Sequence, residues 1–372
     1  MVSFSPIHSD ARVLRQLSVV TRQAHVTTIG YGPAPAGADE HLRLPDGAPS
    51  LPQTPRGVAL LAARRWRAAE LAAPAAEHAL RLAEGKRWDA VVSNDARALP
   101  VAHRLAAGAP VWADLHEWAP EERTHVLAWR LLVAPLMDHL CRTYLPLSAA
   151  TTTVAASIAD LYAEHYGVRP QVMRNAAPWA DLSPTGVDAP TIRLVHSGGA
   201  IPGRNLEAML DVVAALGRGY SLDLYLMPGG DGGRYLRALR DRAAGLPGVT
   251  FHDPVPPADL PATLNRYDVG VFWIPPFNTN AARTLPNKLF DFVQARLAVA
   301  VGPSPEMARV VTEHRLGVVA EDFTVDACAA SVARLSRADV AGFKASTDAA
   351  SRELSFAAEA SVAEGILDRL LG

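Results

Sequence analysis

Hydrophobic and polar positions along this chain follow two alternating spacings. Short β-branched or aliphatic runs give way to longer stretches with apolar residues at helical intervals, and the change recurs many times. That alternation is the signature of an α/β protein built on parallel sheets. In the first half it predicts strands over residues 1–4, 25–29, 90–93, 110–113, 152–154 and 171–174, with helices over 11–23 and 60–84 among the intervening segments. A second series predicts strands over 192–196, 222–227, 250–252, 269–274, 298–301 and 317–319. Residues 175–191, "NAAPWADLSPTGVDAPT", are rich in Pro, Ala and turn formers and read as a linker between the two series.

The 372 residues exceed what one hydrophobic core usually supports, which fits two domains of ordinary size. A formal net charge of −2 argues against a nucleic-acid partner held by phosphate neutralisation. Cys141 and Cys328 lie far apart without the neighbouring Cys or His of a zinc site, so a reducing cytoplasm and no structural metal are expected. The opening "MVSFSPIHSDARVLRQ" lacks the pattern of a secretory leader, and no apolar run reaches membrane-spanning length. Lys86, Lys288 and Lys344 are the only lysines, a bias that reflects base composition and carries no functional weight.

In two-domain α/β proteins ligands gather at the carboxyl ends of strands, so chemistry is sought in the segments after them. "HSGGAIPGRNLEAMLDVV" places Gly198, Gly199, Gly203 and Arg204 at the opening of an amphipathic helix, where amides and a cation could face an anion. A plain βα turn with a solvated arginine is the alternative. "MPGGDGGRYL" looks similar but has no specific spacing and reads as a turn.

"VWADLHEWAPEE" sets Asp114, His116 and Glu117 after a strand, where the histidine either meets a hydroxyl or phosphate or is simply structural. Asn94 and Asp95 read as helix caps, and Ser304, Pro305 and Glu306 form a strong helix start whose amides could also receive a ligand. In "TLPNKLFDFVQARLAVAVG" the apolar Leu289, Phe290, Phe292 and Val293 make a packing face, while Lys288 sits in the first turn with Asp291 nearby. A cation at a positive helix end is unfavourable unless an anion is close, so Lys288 points either to a ligand or into water.

Taken in order, these pieces resemble the retaining glycosyltransferases of family 4. On the acceptor side the resemblance rests on "SDARVLRQ", "WDAVVSNDARALPVA", "ADLHEW" and the crossing "VMRNAAP". On the donor side it rests on "HSGGAIPGRNLE", "YDVGVFWIPP", "LPNKLFDFVQARLAVAVGPSPEMARVV" and the closing "LSFAAEASVAEGILDRLL". It implies a GT-B fold of two Rossmann-like domains facing each other across a cleft. An acceptor-side domain would cover 1–178, a nucleotide-sugar domain 179–345, and tail helices 346–372, the last crossing back to the first domain.

The resemblance also implies roles. His116 matches the acceptor-side histidine and Arg204 the basic residue on the donor diphosphate; Lys288, from its place in the first turn of its helix, could add a further cation for the leaving group. Asp291 matches the carboxylate that holds the ribose hydroxyls, and Gly198 with Ser304 to Glu306 would meet the phosphates and sugar. The departures are specific. Arg283 and Asp291 stand where the family often has a pair of Glu residues, Gly199 replaces a second basic contact, and Arg296 and Ala298 replace a Gly and a Pro.

The expected activity is transfer of a hexose from a nucleotide-diphosphate sugar to the hydroxyl of a glycolipid, polysaccharide or small glycoside, with retention and without a metal or other cofactor. Two alternatives remain: a catalytically weak assembly subunit, favoured by the altered Glu pair, and a nucleotide-sugar epimerase, for which the only evident acid-base group is His116. The stretch 56–73, with its arginines and Trp66, fits either peripheral contact with an anionic membrane surface or a solvated helix face.

Overall fold

Among the described residues, thirteen strands assemble into two parallel sheets, one from each half of the chain. The computed structural model describes residues 1–283 and 285–372; Thr284, the first residue of the Pro-Asn-Lys stretch, lies outside them. Residues 1–174, 278–280 and 359–372 form one compact unit, and 175–277 with 281–358 the other.

The first unit contains β1 (Val2–Pro6), β2 (Thr27–Tyr31), β3 (Glu40–Arg43), β4 (Val91–Asn94), β5 (Val111–Leu115), β6 (Ala150–Thr153) and β7 (Gln171–Val172). Its helices are α1 (Ala11–Val20), α2 (Pro55–Ala62), α3 (Trp66–Ala69), α4 (Pro74–Leu82), α5 (Leu99–Ala106), α6 (Ala134–Tyr144) and α7 (Ala156–Tyr166). Strand order is β3-β2-β1-β4-β5-β6-β7, so the winding reverses between β1 and β4. Residues 359–372 belong to this unit through contacts such as Arg174 Nε to Glu359 Oε1 at 2.6 Å.

The second unit repeats the plan with β8 (Ile192–Ala200), β9 (Tyr220–Pro228), β10 (Val249–His252), β11 (Val269–Phe272), β12 (Ala298–Val301) and β13 (Gly317–Val319), in the order β10-β9-β8-β11-β12-β13. Its helices are α8 (Glu207–Leu216), α9 (Arg234–Ala243), α10 (Leu260–Leu264), α11 (Thr279–Arg283), α12 (Asn287–Gln294), α13 (Pro305–Glu313), α14 (Val325–Ala333) and α15 (Arg337–Ala350), before the closing α16 (Phe356–Leu371). Asn278 with the first two residues of α11, and the greater part of α16, belong to the first unit.

The second sheet buries Leu194, Leu222, Val269, Val271, Ala298 and Ala300 on one face and Val195, Val299 and Val301 on the other, as parallel sheets require. Gly270 matters for a steric reason. A Cβ there would fall 2.4 Å from the Phe292 ring, so glycine lets α12 settle onto β11.

One local expectation is corrected, one strand is added, and the linker finds its attachment. The helix over 60–84 is three helices, because Arg64 turns left-handed at φ 53° and Pro74 starts a new one. Strand β3 arises in a polar stretch with no alternating pattern and is defined by pairing to β2. The expected linker, residues 175–191, contains no helix or strand and is fastened to the second unit. Gln294 Oε1 accepts from the Ala180 amide at 3.0 Å, Arg296 donates to the Ala180 carbonyl at 2.7 Å, and Lys344 donates to Thr185 Oγ1 at 2.9 Å.

Candidate active site

In the second unit, β8 pairs with β11 only through Leu194 and Val195, while its partnership with β9 continues to Ala200. Residues 196–200 therefore run on beside the reversal of winding, the place where open α/β sheets bind ligands. Gly198 and Gly199 belong to this strand end, a correction to the expected loop, and Arg204 precedes the first residue of α8, Glu207, instead of opening the helix.

Gly198 has φ +139°, and Lys288 from the first turn of α12 lies across it. Gly199 has open space apart from the Ile201 side chain. Burial lowers the Lys288 pKa, and the nearby Arg204 charge lowers it further against a smaller opposing effect of Asp291. Burial lowers Arg204 as well. Among the described residues neither cation forms an ion pair. Lys288 is thus half-buried, lying across Gly198 beside a second cation.

Beneath them His196 is buried and donates from Nδ1 to the Val271 carbonyl at 2.8 Å, bridging strands where the backbone ladder has stopped. Burial, followed by the charges of Lys288 and Arg204, pushes its pKa down to about 3, so it adds no third positive charge at neutral pH. The sequence reading passed over this histidine because it lies inside a strand.

Ser304 is the N-cap of α13, yet its side chain makes no cap bond and its buried Oγ has no hydrogen-bond partner among the described residues. Glu306 is buried in the first turn and takes a bond from Arg309 Nη2 at 3.1 Å. Asp291 lies one turn after Lys288 on α12. Nothing in these contacts assigns Asp291 or Glu306 a ligand.

In the first unit, Asp114 at the end of β5 is fully buried and held by Arg12 through Nε at 2.9 Å and Nη2 at 2.5 Å, with Thr152 Oγ1 donating at 2.7 Å. Burial opposes its ionisation, but Arg12 and then His116 overcome this and hold the carboxyl well below the usual range. His116 Nε2 lies 3.4 Å from Asp114 Oδ2 and 3.3 Å from Asn94 Oδ1. Burial disfavours its charged form, yet the bond and charge from Asp114 raise its pKa above the ordinary value.

Asn94 is not a helix cap: it is buried against His116, and its Nδ2 has no partner among the described residues. Asp95 does cap, accepting from the Ala96 amide at 2.9 Å. Ser3, Phe4, Ser5, Asp10, Asn94, Asp95, Arg97 and His116 line a cavity of about 200 Å³ at the β1/β4 reversal.

Among the described residues no cluster of three or more His, Cys, Asp or Glu could hold a metal, and no helix is long and apolar enough to cross a membrane. Cys141 and Cys328 are free and buried.

Residues 192–338 match the family model described as Glycosyl transferases group 1. No curated protein matches the chain. Among solved structures, Anabaena Alr3699/HepE in complex with UDP-glucose is similar at 13% identity and TM-score 0.70, with 99% of this chain and 98% of that one covered. The α,α-trehalose 6-phosphate synthase of Burkholderia multivorans has 13% identity and TM-score 0.65 over the same shares. WaaG, a glycosyltransferase involved in lipopolysaccharide biosynthesis, has 15% identity and TM-score 0.65, covering 100% and 99%. The fold is GT-B, with two Rossmann-like domains, and the second carries the matched region.

Proposed function

We propose that this protein is a glycosyltransferase that moves a hexose from a nucleoside-diphosphate sugar to a hydroxyl acceptor with retention of configuration. The observation that carries the reading is the pair Arg204 and Lys288, two partly buried cations at one strand end without ion-pair partners. Two like charges in a desolvated place raise the energy of the empty site and favour a dianion between them. The family-model match over the same domain supports a diphosphate as that dianion.

Cleavage of the bond from the anomeric carbon to the diphosphate leaves negative charge on phosphate and an oxocarbenium-like sugar. Arg204, Lys288 and the amides at the start of α13 stabilise the leaving group. The acceptor hydroxyl attacks from the face the diphosphate leaves, its oxygen forming the new bond while its proton passes to the departing phosphate oxygen. Retention rests on the resemblance to family 4. Asp291 holds the ribose, Ser304 Oγ meets a sugar or phosphate oxygen, and His116 orients the acceptor hydroxyl. Metal-free chemistry belongs to the same proposal.

We also place the protein in the cytoplasm, against the membrane. Helix α2 packs on the π-helical turn Trp129–Val133, and Val58, Leu127 and Leu131 are 41%, 58% and 61% exposed around that junction. Residues 51–69 and 123–137 contain six arginines and no acidic residue, a composition suited to anionic headgroups.

The test is a thermal-shift screen of UDP, GDP, ADP, TDP and their sugars on the wild type, Arg204→Ala and Asp291→Ala, with nucleotide release measured alongside. UDP comes first because Alr3699/HepE was solved with UDP and UDP-glucose. A shift with one nucleotide, reduced in both variants, is expected. Binding without turnover across a broad acceptor set would favour the assembly-subunit reading, which the Arg283/Asp291 departure supports. No shift with any nucleotide would remove the donor-site assignment.

A further inference from the structure

The cavity at the β1/β4 reversal has a chemistry of its own, separate from the cationic strand end of the second unit. Its only permanent cation, Arg97, is already engaged: Nη2 donates to Glu122 at 3.1 and 3.2 Å and to Asp95 Oδ2 at 3.4 Å. An arginine held between two carboxylates has little charge left for a phosphate. Asp10 and Asp95 are acidic, and the charge that His116 carries when protonated is already met by the buried Asp114, whose Oδ2 lies 3.4 Å from Nε2.

Asp10 uses Oδ1 to cap α1, accepting from the Arg12 and Val13 amides at 3.2 and 3.3 Å, and its Oδ2 makes no hydrogen bond among the described residues. Asn94 supplies the complementary feature. It is 1% exposed, its Oδ1 faces His116, and its Nδ2 donor has no partner. A buried donor without an acceptor is costly, and a ligand oxygen removes that cost. Ser3 and Ser5 hydroxyls, 2.9 Å apart, can donate or accept, and Phe4 offers an apolar face.

Free carboxylate oxygen, an orphan amide donor, hydroxyls and an aromatic face together match a ligand whose every polar group both donates and accepts. The volume of about 200 Å³ corresponds to roughly seven water molecules, room for a single sugar ring.

We infer that this cavity binds one uncharged pyranose ring of the acceptor and discriminates against phosphorylated sugars. The inference rests on the transferase reading and specifies the acceptor class for it. Asp10 and Asp95 accept from ring hydroxyls, Asn94 Nδ2 donates to one, and a phosphate monoester meets two carboxylates and no available permanent cation.

Isothermal titration of the full chain with the methyl glycosides of glucose, galactose and mannose, and with the corresponding 6-phosphates, tests this. At least one neutral glycoside should bind about tenfold or more tightly than its 6-phosphate. Asp95→Asn keeps the helix-capping oxygen and should weaken neutral binding about tenfold while narrowing the discrimination. Asn94→Leu, which removes the orphan donor, should weaken it as well.

Tighter binding of a 6-phosphate, or no binding of any neutral glycoside at tens of millimolar, would overturn the inference. The same samples are titrated with UDP. An intact UDP response beside a failed saccharide response removes only the acceptor assignment, whereas loss of the UDP response in the wild type removes the donor reading.

Discussion

Lys288 crosses the strand end at Gly198 so closely that a Cβ on that glycine would stand 2.1 Å from its Cε and 2.5 Å from Nζ. The glycine is required by contact and by backbone, since its φ of +139° is one that other residues rarely adopt. Lysine position and strand conformation are therefore set together.

Gly198→Ala should consequently act on the nucleotide site more than on the fold. Displacing a flexible lysine end and straining one φ costs about 1–3 kcal/mol of stability. Thermal denaturation should show a folded protein with a lowered midpoint, and the nucleotide-induced shift should be largely lost. A full shift in the variant would mean that Lys288 does not contact the nucleotide.

The Asp114–His116 pair predicts a pH effect. Asp114 raises the His116 pKa, so an activity that needs neutral His116 switches on as pH rises through that raised value. In Asp114→Asn the raising charge is gone and the same limb should move to lower pH. Arg12 then loses its buried partner, and stability should fall by about 3–5 kcal/mol. His116→Ala should lower turnover about 100-fold with little change in nucleotide binding. A pH limb unmoved in Asp114→Asn would detach His116 from the reaction.

His196 predicts how acid weakens the fold. Its folded pKa of about 3 lies below the unfolded value of about 6.5, so its neutral form is favoured in the native state. The associated stability is complete above the unfolded value and is lost as pH falls toward the folded one, because only the unfolded chain takes the proton. Denaturant midpoints at pH 7, 6, 5 and 4 should therefore fall less steeply in His196→Leu than in the wild type. Parallel curves would show that His196 ionises normally in the folded protein.

The arginine-rich segments 51–69 and 123–137 predict binding to vesicles. Co-sedimentation should be strong with phosphatidylglycerol-containing vesicles, weak with phosphatidylcholine alone, and reduced by high salt. Leu127→Asp combined with Leu131→Asp should abolish it without changing the melting temperature, as both side chains are more than half exposed. Equal binding to neutral and anionic vesicles would count against the surface.

Much of the fold was legible before any coordinates. Parallel strands favour short aliphatic or β-branched runs, and twelve of the thirteen among the described residues overlap a strand expected on that pattern. β3 was hidden because it is a short polar edge strand defined by its neighbour. Arg296 was read as a departure from a glycine position. Its φ of +58° retains the left-handed turn, and its buried guanidinium binds Asp348 and the Ala180, Val293 and Gln294 carbonyls.

The sequence by itself determined the α/β class, the two series of strands and the identity of the chemical groups after them, because periodicity and turn chemistry are local properties. Only the tertiary structure decided that Lys288 lies over Gly198 beside Arg204, that His196 stays neutral below them, and that Asn94 turns from capping to face His116. Those relationships join residues distant along the chain. Their energies depend on burial and on charges brought close by strand order, which local patterns do not encode.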